Sequence, residues 1–459
     1  MKRKLLSMML TAAMVSGLAV CHGFAAEEAG AEVISTETAT LRLYGPGIFT
    51  EVGEEGVTDL VSGLERPGYN ELIARWNELY PNVAVEIEAI PWDNWKAAVQ
   101  TAAMSGDYDI IIHGNGNADF CLDLTDRIEA DPEVRDNVTF YPFRRNPDNF
   151  TEVCAYGISY ALNPIVCVID KQIFEDYGVD LPDSSWTYDE LAEIAAKLTG
   201  TDPVTGKETY GISMCKASDM YKNYKVIGLG MNDVIFDFSE KLVDTAVNID
   251  NPKTVEVFDY IKELSTYSHP DYLEGLDLAN AWTENNEIAM TWTDGAFTIY
   301  NTIKANGLED RFMFLALPQI TEGEDAGRTS SVLQDLNMAI YKDSEQQDLA
   351  WAFLKFMLTD EVAQQWLTDT CSISANTQYT SLIYDAMSDD YAAAISEVIA
   401  ANPFGFDSSA SDYYDSTWFG TFQADVVTAG DLVIRGDKTP EEAAAMLQEN
   451  VETYLNTLK

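Results

Sequence analysis

The sequence has few of the residues on which hydrolytic active sites usually depend. Only three histidines occur among 459 residues: His22, His113 and His269. There is no His-Glu-x-x-His and no Gly-x-Ser-x-Gly motif, and Ser213 to Lys216 matches Ser-x-x-Lys without the partner motifs of that class. These absences argue against zinc and serine hydrolases. A glycoside hydrolase with two catalytic carboxylates stays possible, because 76 acidic residues allow many pairings.

Cysteine is also scarce, and its spacing excludes the common cysteine frameworks. None of the six cysteines belongs to a Cys-x-x-Cys pair, which argues against a zinc site. Five of them follow the N-terminal region, and an odd, scattered set is typical of buried small hydrophobic side chains. We therefore expect no metal, no cofactor and no disulfide framework. The five are Cys121, Cys154, Cys167, Cys215 and Cys371.

Positive charge is the third deficit. The chain has 28 Lys and Arg against 76 Asp and Glu, which gives a formal net charge of −48. A protein this acidic repels phosphate backbones, so nucleic acid is excluded as a partner. Anionic ligands are disfavoured too, unless local cations override the overall field. The solubility of an exported protein is a sufficient reason for the charge.

One long apolar run lies at the N-terminus, and it is too short to span a bilayer. The cationic segment 2–4 precedes the apolar run from Leu5 to Val20, which is the order of a secretory signal peptide. We expect an exported protein in which residues 1–26 form the signal and the start of a tether. Residues 27–39 are then an acidic linker.

Two ways of processing this signal stay open. Leu18 to Cys21 resembles a bacterial lipobox, which would leave Cys21 lipidated and the protein anchored at the cell surface, although Val20 replaces the usual Gly or Ala. Ordinary signal peptidase would instead cleave after Ala25 and release an extracytoplasmic or periplasmic protein.

What the sequence does contain, from Leu41 to Gly116, is an alternation of strand and helix patterns. Apolar residues at helical spacing up to Tyr80 precede an alternating segment from Val83 to Ile87, and a second helical run ends before the apolar block Ile110–Ile112. This order predicts a parallel sheet with helical crossovers, which binds ligands beyond the carboxyl ends of its strands. The weakly periodic segment between Gly47 and Tyr69 predicts a loop at the rim of such a cleft.

A second α/β unit begins after Tyr160. Ile165 to Ile169 has the composition of a buried strand, and Asp170 begins a helix that Gly178 ends. Thr187 and Glu190 have the spacing of a capping box. Further along come a strand, a turn and a helix in segment 287–300, a strand that recrosses the molecule at 331–340, and a last helix that Thr439 caps.

Six segments, in this order, resemble the extracellular solute-binding proteins of ABC importers, specifically the sugar binders typified by maltose-binding protein. Ile169-Asp170-Lys171 departs from that family's usual Tyr-Asn-Lys, and Asn-Glu-Ile stands where Gly usually precedes the Ala-Met pair. The segments are PNVAVEIE (81–88), SGDYDIII (105–112), residues 169–199, EIAMTWTDGAF (287–297), residues 348–367 and residues 436–455.

The resemblance implies an α/β fold of the two-lobed periplasmic-binding-protein type, with a hinge and a cleft between the lobes. The first lobe would take residues 40–157 and 335–385, and the second 160–330 and 390–459. Ligand would bind in the cleft, hinge closure would bury it, and the permease subunits of an ABC transporter would receive it. The implied protein is a monomer, not an enzyme.

Sugars present polar hydroxyl edges and apolar faces, so a sugar cleft needs aromatic platforms together with Asp, Asn, Glu or Gln. Trp92 and Trp95 are better explained by packing in the core or at the rim, and Trp186 is structural. The loops that match the family's contacts supply His113, Asn115, Asn117, Asn163, Asp219, Tyr221, Trp292, Asp294, Phe297 and Trp418 as ligand-binding residues.

The leading hypothesis is thus a carbohydrate binder that captures an oligosaccharide. A binder of a peptide or a cationic metabolite is an alternative from the same class, and the acidic field would favour it. An exported glycoside hydrolase is an alternative from another class. A protein that presents its ligand to a membrane sensor instead of an importer would have the same fold.

Overall fold

The computed structural model describes residues 38–58, 63–114, 119–138, 143–145, 153–214, 218–233, 247–276, 278, 280–401 and 416–457. All of them belong to one compact unit, Ser35–Lys459. Within them, no helix is both long enough and apolar enough to cross a membrane.

The described residues contain fifteen strands. In chain order they are β1 (Ala39–Gly45), β2 (Val57–Thr58), β3 (Glu65–Arg66), β4 (Val83–Ala89), β5 (Ile110–Ile112), β6 (Phe143–Arg145), β7 (Val153–Ala155), β8 (Ile158–Pro164), β9 (Val166–Asp170), β10 (Gly200–Thr201), β11 (Glu208–Thr209), β12 (Met290–Thr293), β13 (Phe312–Leu315), β14 (Leu333–Ile340) and β15 (Ile373–Ser374).

The same residues contain seventeen helices. They are α1 (Ile48–Val52), α2 (Tyr69–Leu79), α3 (Trp95–Ser105), α4 (Thr125–Ala130), α5 (Pro132–Arg135), α6 (Lys171–Tyr177), α7 (Tyr188–Lys197), α8 (Ser218–Gly230), α9 (Pro252–Ser265), α10 (Pro270–Leu273), α11 (Ala296–Ala305), α12 (Gln347–Thr359), α13 (Glu361–Asp369), α14 (Thr380–Ala386), α15 (Asp389–Ala401), α16 (Ser416–Arg435) and α17 (Pro440–Thr457).

A six-stranded sheet, in the order β15-β8-β14-β5-β1-β4, is the centre of the first lobe. The predicted parallel arrangement is confirmed for its first part, since β1 pairs in parallel with both β4 and β5. The rest of the sheet is antiparallel, because β14 pairs with β5 and β8 in the opposite direction. The carboxyl ends of β1 and β5 therefore face the same edge of this lobe.

A three-stranded antiparallel sheet, in the order β12-β9-β13, is the centre of the second lobe. Its middle strand, β9, is buried on both faces, which is why its residues 166–169 are an uninterrupted apolar run. Because side chains alternate along a strand, Val166 and Val168 join one hydrophobic core while Cys167 and Ile169 join the other. The helices α7, α8, α9, α16 and α17 contribute to the second of these cores.

Two neighbouring segments cross from one lobe to the other. The first is the connection from β8 to β9. The second is the connection from β13 to β14, which runs antiparallel to the first. Leu333 is paired with Pro164, and the Ile165 N–H donates to the Val332 carbonyl at 3.0 Å. The crossing segments are thus hydrogen-bonded to each other where they leave the first lobe, which is the arrangement of a hinge.

The prediction of a loop between Gly47 and Tyr69 is wrong. This stretch contains α1 and a two-stranded hairpin of β2 and β3. In α1, Ile48, Phe49 and Val52 are buried, and the Phe49 ring stacks on Trp366 at 5.7 Å between centroids. A helix of five residues is too short for its apolar spacing to stand out from the surrounding sequence.

The predicted helix boundaries in the second lobe are confirmed. The Asp170 side chain caps α6, and Gly178 ends it in a left-handed conformation. Thr187 and Glu190 form the capping box of α7 with both reciprocal bonds. Cys121, Cys154 and Cys167 are buried, as expected of small hydrophobic side chains, whereas Cys371 is partly exposed.

Candidate functional site

A polar cluster lies where the hinge meets the second lobe. Asp294, in the turn between β12 and α11, accepts from Lys222 Nζ of α8 at 3.1 Å. With its amide oriented to match its neighbours, Gln334 of β14 donates to Asp294 Oδ2 at 3.0 Å and accepts from Lys225 Nζ at 3.1 Å. We call Lys222, Lys225, Asp294 and Gln334 the hinge cluster. It joins a helix, a turn and a crossing strand in one hydrogen-bonded group.

The members of the hinge cluster differ in exposure. Lys225 is 1% exposed, and its ammonium lies over the Tyr221 ring at 5.8 Å from the centroid. The Asp294 side chain is 36% exposed. The buried cation therefore stays within protein while the carboxylate is open to solvent, and this makes Asp294 the member that can meet a ligand.

Glu51 of α1 brings a carboxylate from the first lobe toward the same region. Arg66 Nη1 lies 3.6 Å from Glu51 Oε2. Although 44% of the Glu51 side chain is exposed, desolvation by the surrounding walls raises the pKa of its carboxyl, while Arg66 and a hydrogen bond from Trp92 oppose the rise. The negative charge of Asp294 adds to the rise. Carboxylates from the two lobes thus lie close enough to influence each other.

An aromatic group from the first lobe stands beside this region. His113 follows β5 in a left-handed conformation, with φ of 56°, and its ring lies 5.3 Å from Trp92 and 5.2 Å from Trp95 between centroids. Burial and, to a smaller extent, the charge of Lys96 together lower the pKa of His113 to about 4. Its imidazole is therefore neutral at pH 7. The Trp92 side chain is 40% exposed and offers an apolar face to solvent.

The lobes also touch at the α3 side. Lys96 of α3 donates to the Gln423 side-chain carbonyl on α16, which belongs to the second lobe. The same ammonium lies 5.6 Å from the centroid of Trp95. This contact ties the aromatic group of one lobe to a helix of the other.

A cavity of about 870 Å³ lies between α11 of the second lobe and the β2–β3 hairpin of the first. Its wall includes Phe297 and Asn301 from α11, and Asn301 Nδ2 donates to the Cys371 thiol at 3.5 Å. Burial raises the pKa of that thiol, so it stays protonated. Besides Arg66, the charged residues among the described lining are all acidic: Glu55, Glu65, Glu71, Asp369 and Asp385.

The structure brings several of the sequence-predicted residues to this region. Asn163 pairs with Gln334 across the crossing strands, and Phe297 reaches the cavity although only 5% of it is exposed. Tyr221 and Trp292 are mostly buried, at 6% and 7% exposed. The Trp292 indole N–H finds no acceptor among the described residues.

Other predicted positions fall outside what the structure describes. Asn115, Asn117 and Cys21 lie outside the described residues. Asp219 lies on α8 and Trp418 on α16, but the structure describes only the backbone of these two residues.

Sequence reasoning missed Glu51, Arg66, Lys222, Lys225 and Gln334. Glu51 could have been found from the sequence, because it follows the Gly45–Gly47 turn at the carboxyl end of β1, where ligands bind in such sheets. Gln334 could not, since a single polar residue in a crossing strand does not stand out. In the described residues, no group of three or more His, Cys, Asp or Glu side chains is placed to hold a metal ion.

Two lobes, two hydrogen-bonded crossing segments and a cavity between the lobes define a class of proteins that enclose a solute. The family model described as bacterial extracellular solute-binding protein matches residues 62–364, more than half of the chain. The chain belongs to this family, which places it outside the cytoplasm. A comparison with curated proteins finds no match.

Solved structures share the fold at low sequence identity. The ABC substrate-binding protein Lmo0181 from Listeria monocytogenes, in complex with cycloalternan, is 18% identical with a TM-score of 0.67, over 92% of this chain and all of that one. The sugar-binding protein MalE of Xanthomonas citri is 15% identical with a TM-score of 0.69, over 91% and 98% of the two chains. Maltose-bound MalE3 of T. maritima is 14% identical with a TM-score of 0.65, over 91% of this chain and all of that one.

Proposed function

We propose that this protein is the extracellular substrate-binding component of an ABC transporter and that its ligand is a carbohydrate, most simply an oligosaccharide. The observation that carries the proposal is the cavity of about 870 Å³ between the lobes, bounded by polar side chains and Phe297. Support comes from the family and from structural neighbours that bind cycloalternan and maltose. Within this proposal the first lobe takes about residues 40–157 and 335–385, and the second about 160–330 and 390–459.

In this function the residues of the cleft bind and enclose the sugar, and they break none of its bonds. In the wall of the cavity, Asn301 donates or accepts hydrogen bonds and Phe297 offers an apolar face to a sugar ring. Asp294, Glu51 and Trp92 are not part of that wall, but each is at least 36% exposed; the two carboxylates accept from sugar hydroxyls, and Trp92 offers a second apolar face. Of the residues chosen from the sequence, Asn163, Tyr221, Trp292 and His113 support the walls. Closure about the crossing segments then presents a defined surface to the permease.

Calorimetric titration of the purified protein with maltotriose, cycloalternan and a panel of short peptides tests the proposal. We expect saturable heat with at least one saccharide and none with peptides. Heat with peptides alone would remove the carbohydrate assignment. Chromatography of the saccharide after prolonged incubation tests the hydrolase alternative, for which shortened products at an enzyme's rate would be the positive result.

A second candidate ligand class is favoured by the lining of the cavity. Five carboxylates line it, Arg66 is the one described cation there, and Arg66 is engaged with Glu51. Such a lining stabilises a ligand that carries an ammonium group, and the net charge of −48 attracts cations from solution. A cationic solute, including an amino sugar, is therefore the alternative to a neutral saccharide.

A matched pair of ligands separates these candidates. The glucosamine trimer with free amines and its N-acetylated counterpart share a skeleton and differ in charge. A cationic preference predicts that the amine form binds at least about 10-fold tighter, with an advantage that shrinks as salt rises, because ions screen exposed charges. Equal or tighter binding of the acetylated form would favour the neutral ligand.

The export signal and the anchor belong to the same proposal. We infer that residues 1–26 direct export and that Cys21 carries lipid, with the mature protein acting as a monomer beside its permease. In a bacterial host, the wild type should then fractionate with membranes and Cys21→Ala with the soluble fraction. Soluble wild-type protein whose N-terminus is residue 26 would instead show ordinary cleavage after Ala25.

A further inference from the structure

We propose that Gln334 is a positioning residue for ligand binding: it holds the Asp294 carboxylate in one orientation at the cleft, and Lys225 holds Gln334 in turn. The inference rests on the proposed function, because it assigns roles within the same cleft. Asp294 contacts the solute, and neither Gln334 nor Lys225 has to reach it to determine how well Asp294 binds it.

The first step concerns how Asp294 is held. Lys222 Nζ lies 3.1 Å from its Oδ1, and Gln334 Nε2 lies 3.0 Å from its Oδ2. Each oxygen of the carboxylate thus has one fixed donor. An ionised carboxylate has about four acceptor positions, so two of them stay available to a ligand. With 36% of the side chain exposed, these positions are within reach of a solute in the cleft.

The second step concerns why Gln334 has one orientation. An ammonium group only donates hydrogen bonds, and an ionised carboxylate only accepts them. An amide between the two satisfies both neighbours in one of its two orientations, with its oxygen on Lys225 and its nitrogen on Asp294. If the amide were reversed, its N–H groups would face the Lys225 ammonium in place of its oxygen. Because Lys225 is 1% exposed, water would not replace the lost acceptor at that ammonium.

The third step concerns the place of Gln334 in the fold. It lies in β14, opposite Asn163 of β8, one residue after Leu333, which pairs with Pro164 at the crossing between the lobes. Asp294 belongs to the turn before α11 in the second lobe. The orientation of a ligand-facing carboxylate is therefore set by a residue of the hinge, so that ligand binding and hinge geometry share one hydrogen bond.

The decisive variant is Gln334→Met, which keeps the side-chain length and removes both amide hydrogen bonds. We expect the affinity for maltotriose, measured by calorimetry, to fall about 10-fold, as for loss of a hydrogen bond to a charged group. In an Asp294→Ala background the same substitution should change the affinity less than about 2-fold, because its effect passes through Asp294. Gln319→Met is the matched control, since the Gln319 amide also donates a hydrogen bond, to the Ser184 carbonyl at 3.2 Å, and Gln319 does not belong to the hinge cluster.

A loss of affinity that persists undiminished in the Asp294→Ala background would show that Gln334 acts on the hinge as a whole, and would overturn the positioning role. An unchanged affinity for Gln334→Met alone would overturn it as well.

A measurement without ligand keeps the inference separate from the proposed function. The side-chain amide of Gln334, followed by NMR relaxation, should be rigid in the wild type and mobile in Lys225→Met. Equal mobility in both proteins would contradict the locking by Lys225. If the wild type binds no saccharide at all, the proposed function fails, and the amide measurement still decides whether Gln334 is held.

Discussion

Among single residues, Asp170 shows how one buried charged side chain connects several elements of the fold. The Asp170 carboxylate is fully buried and accepts from Arg311 at 2.9 and 2.6 Å and from Asn286 at 2.8 Å, while it also caps α6. The departure from Tyr-Asn-Lys at Ile169-Asp170-Lys171 therefore has a structural reason. The aspartate at this position joins β9, α6 and the start of β13.

The first prediction follows from this buried pair. Arg311→Met leaves the Asp170 carboxylate buried with one remaining side-chain donor, so we expect a loss of about 3–5 kcal/mol in the free energy of unfolding. Urea denaturation followed by circular dichroism measures it. Lys197→Met, which breaks an exposed pair with Glu193, is the control and should cost less than about 1 kcal/mol. Equal losses of stability for the two substitutions would contradict a special contribution of the buried Arg311–Asp170 pair.

The second prediction concerns pH. The pKa of His113 is lowered to about 4 in the folded protein, against about 6.5 in an unfolded chain, so the unfolded state binds more protons in between. The stability linked to neutral His113 is present above pH 6.5 and is lost as the pH falls toward 4, by no more than about 3 kcal/mol. Thermal melts of His113→Phe should show a flatter pH dependence over this interval than those of the wild type. Parallel curves of melting temperature against pH for the two proteins would refute the lowered pKa of His113.

Between elements, the position of the site depends on how closely strands and turns approach each other. Gly45 ends β1 with φ of 143°, and a Cβ there would lie 2.6 Å from the Ile112 carbonyl of β5. Gly178 ends α6 with φ of 65° and has nothing within 4 Å of such a Cβ. The same residue type is therefore required for different reasons at the two positions.

The third prediction compares these glycines. Gly178→Ala should cost about 1 kcal/mol, because only the left-handed backbone is strained. Gly45→Ala should cost several times as much, because the backbone of β1 or β5 must also move. Chemical denaturation ranks the two. A Gly45→Ala protein as stable as Gly178→Ala would mean that β1 and β5 separate easily.

For the whole molecule, contacts between the lobes outside the hinge bear on the balance between open and closed forms. Lys96 on α3 and Gln423 on α16 make one of them. It lies beside Trp95 and so next to the aromatic group of the cleft.

The fourth prediction tests this contact. Lys96→Met should favour the open form by about 0.2–1 kcal/mol, as expected of a partly exposed polar pair. Small-angle scattering of the ligand-free protein should give a larger radius of gyration for the variant than for the wild type, and a bound saccharide should remove the difference. Identical scattering of both ligand-free proteins would show that the contact does not hold the lobes together.

The sequence alone was enough to predict the elements whose signals are local. The capping box at Thr187, the terminating Gly178 and the apolar run of β9 each depend on neighbours within a few residues. The order of such segments also sufficed to recognise the family. The helix α1 was missed because its burial depends on Trp366, which is distant in the chain.

The candidate site was less predictable, for a physical reason. Phe297 and Asp294 stand in a recognisable turn, but the partners of Asp294 come from α8 and β14. Local sequence determined where helices and strands begin and end, since backbone hydrogen bonds and apolar periodicity act over a few residues. Tertiary structure alone decided that Lys222 and Gln334 meet at Asp294 and that Lys225 meets Gln334, because such contacts form only when distant strands and helices pack together.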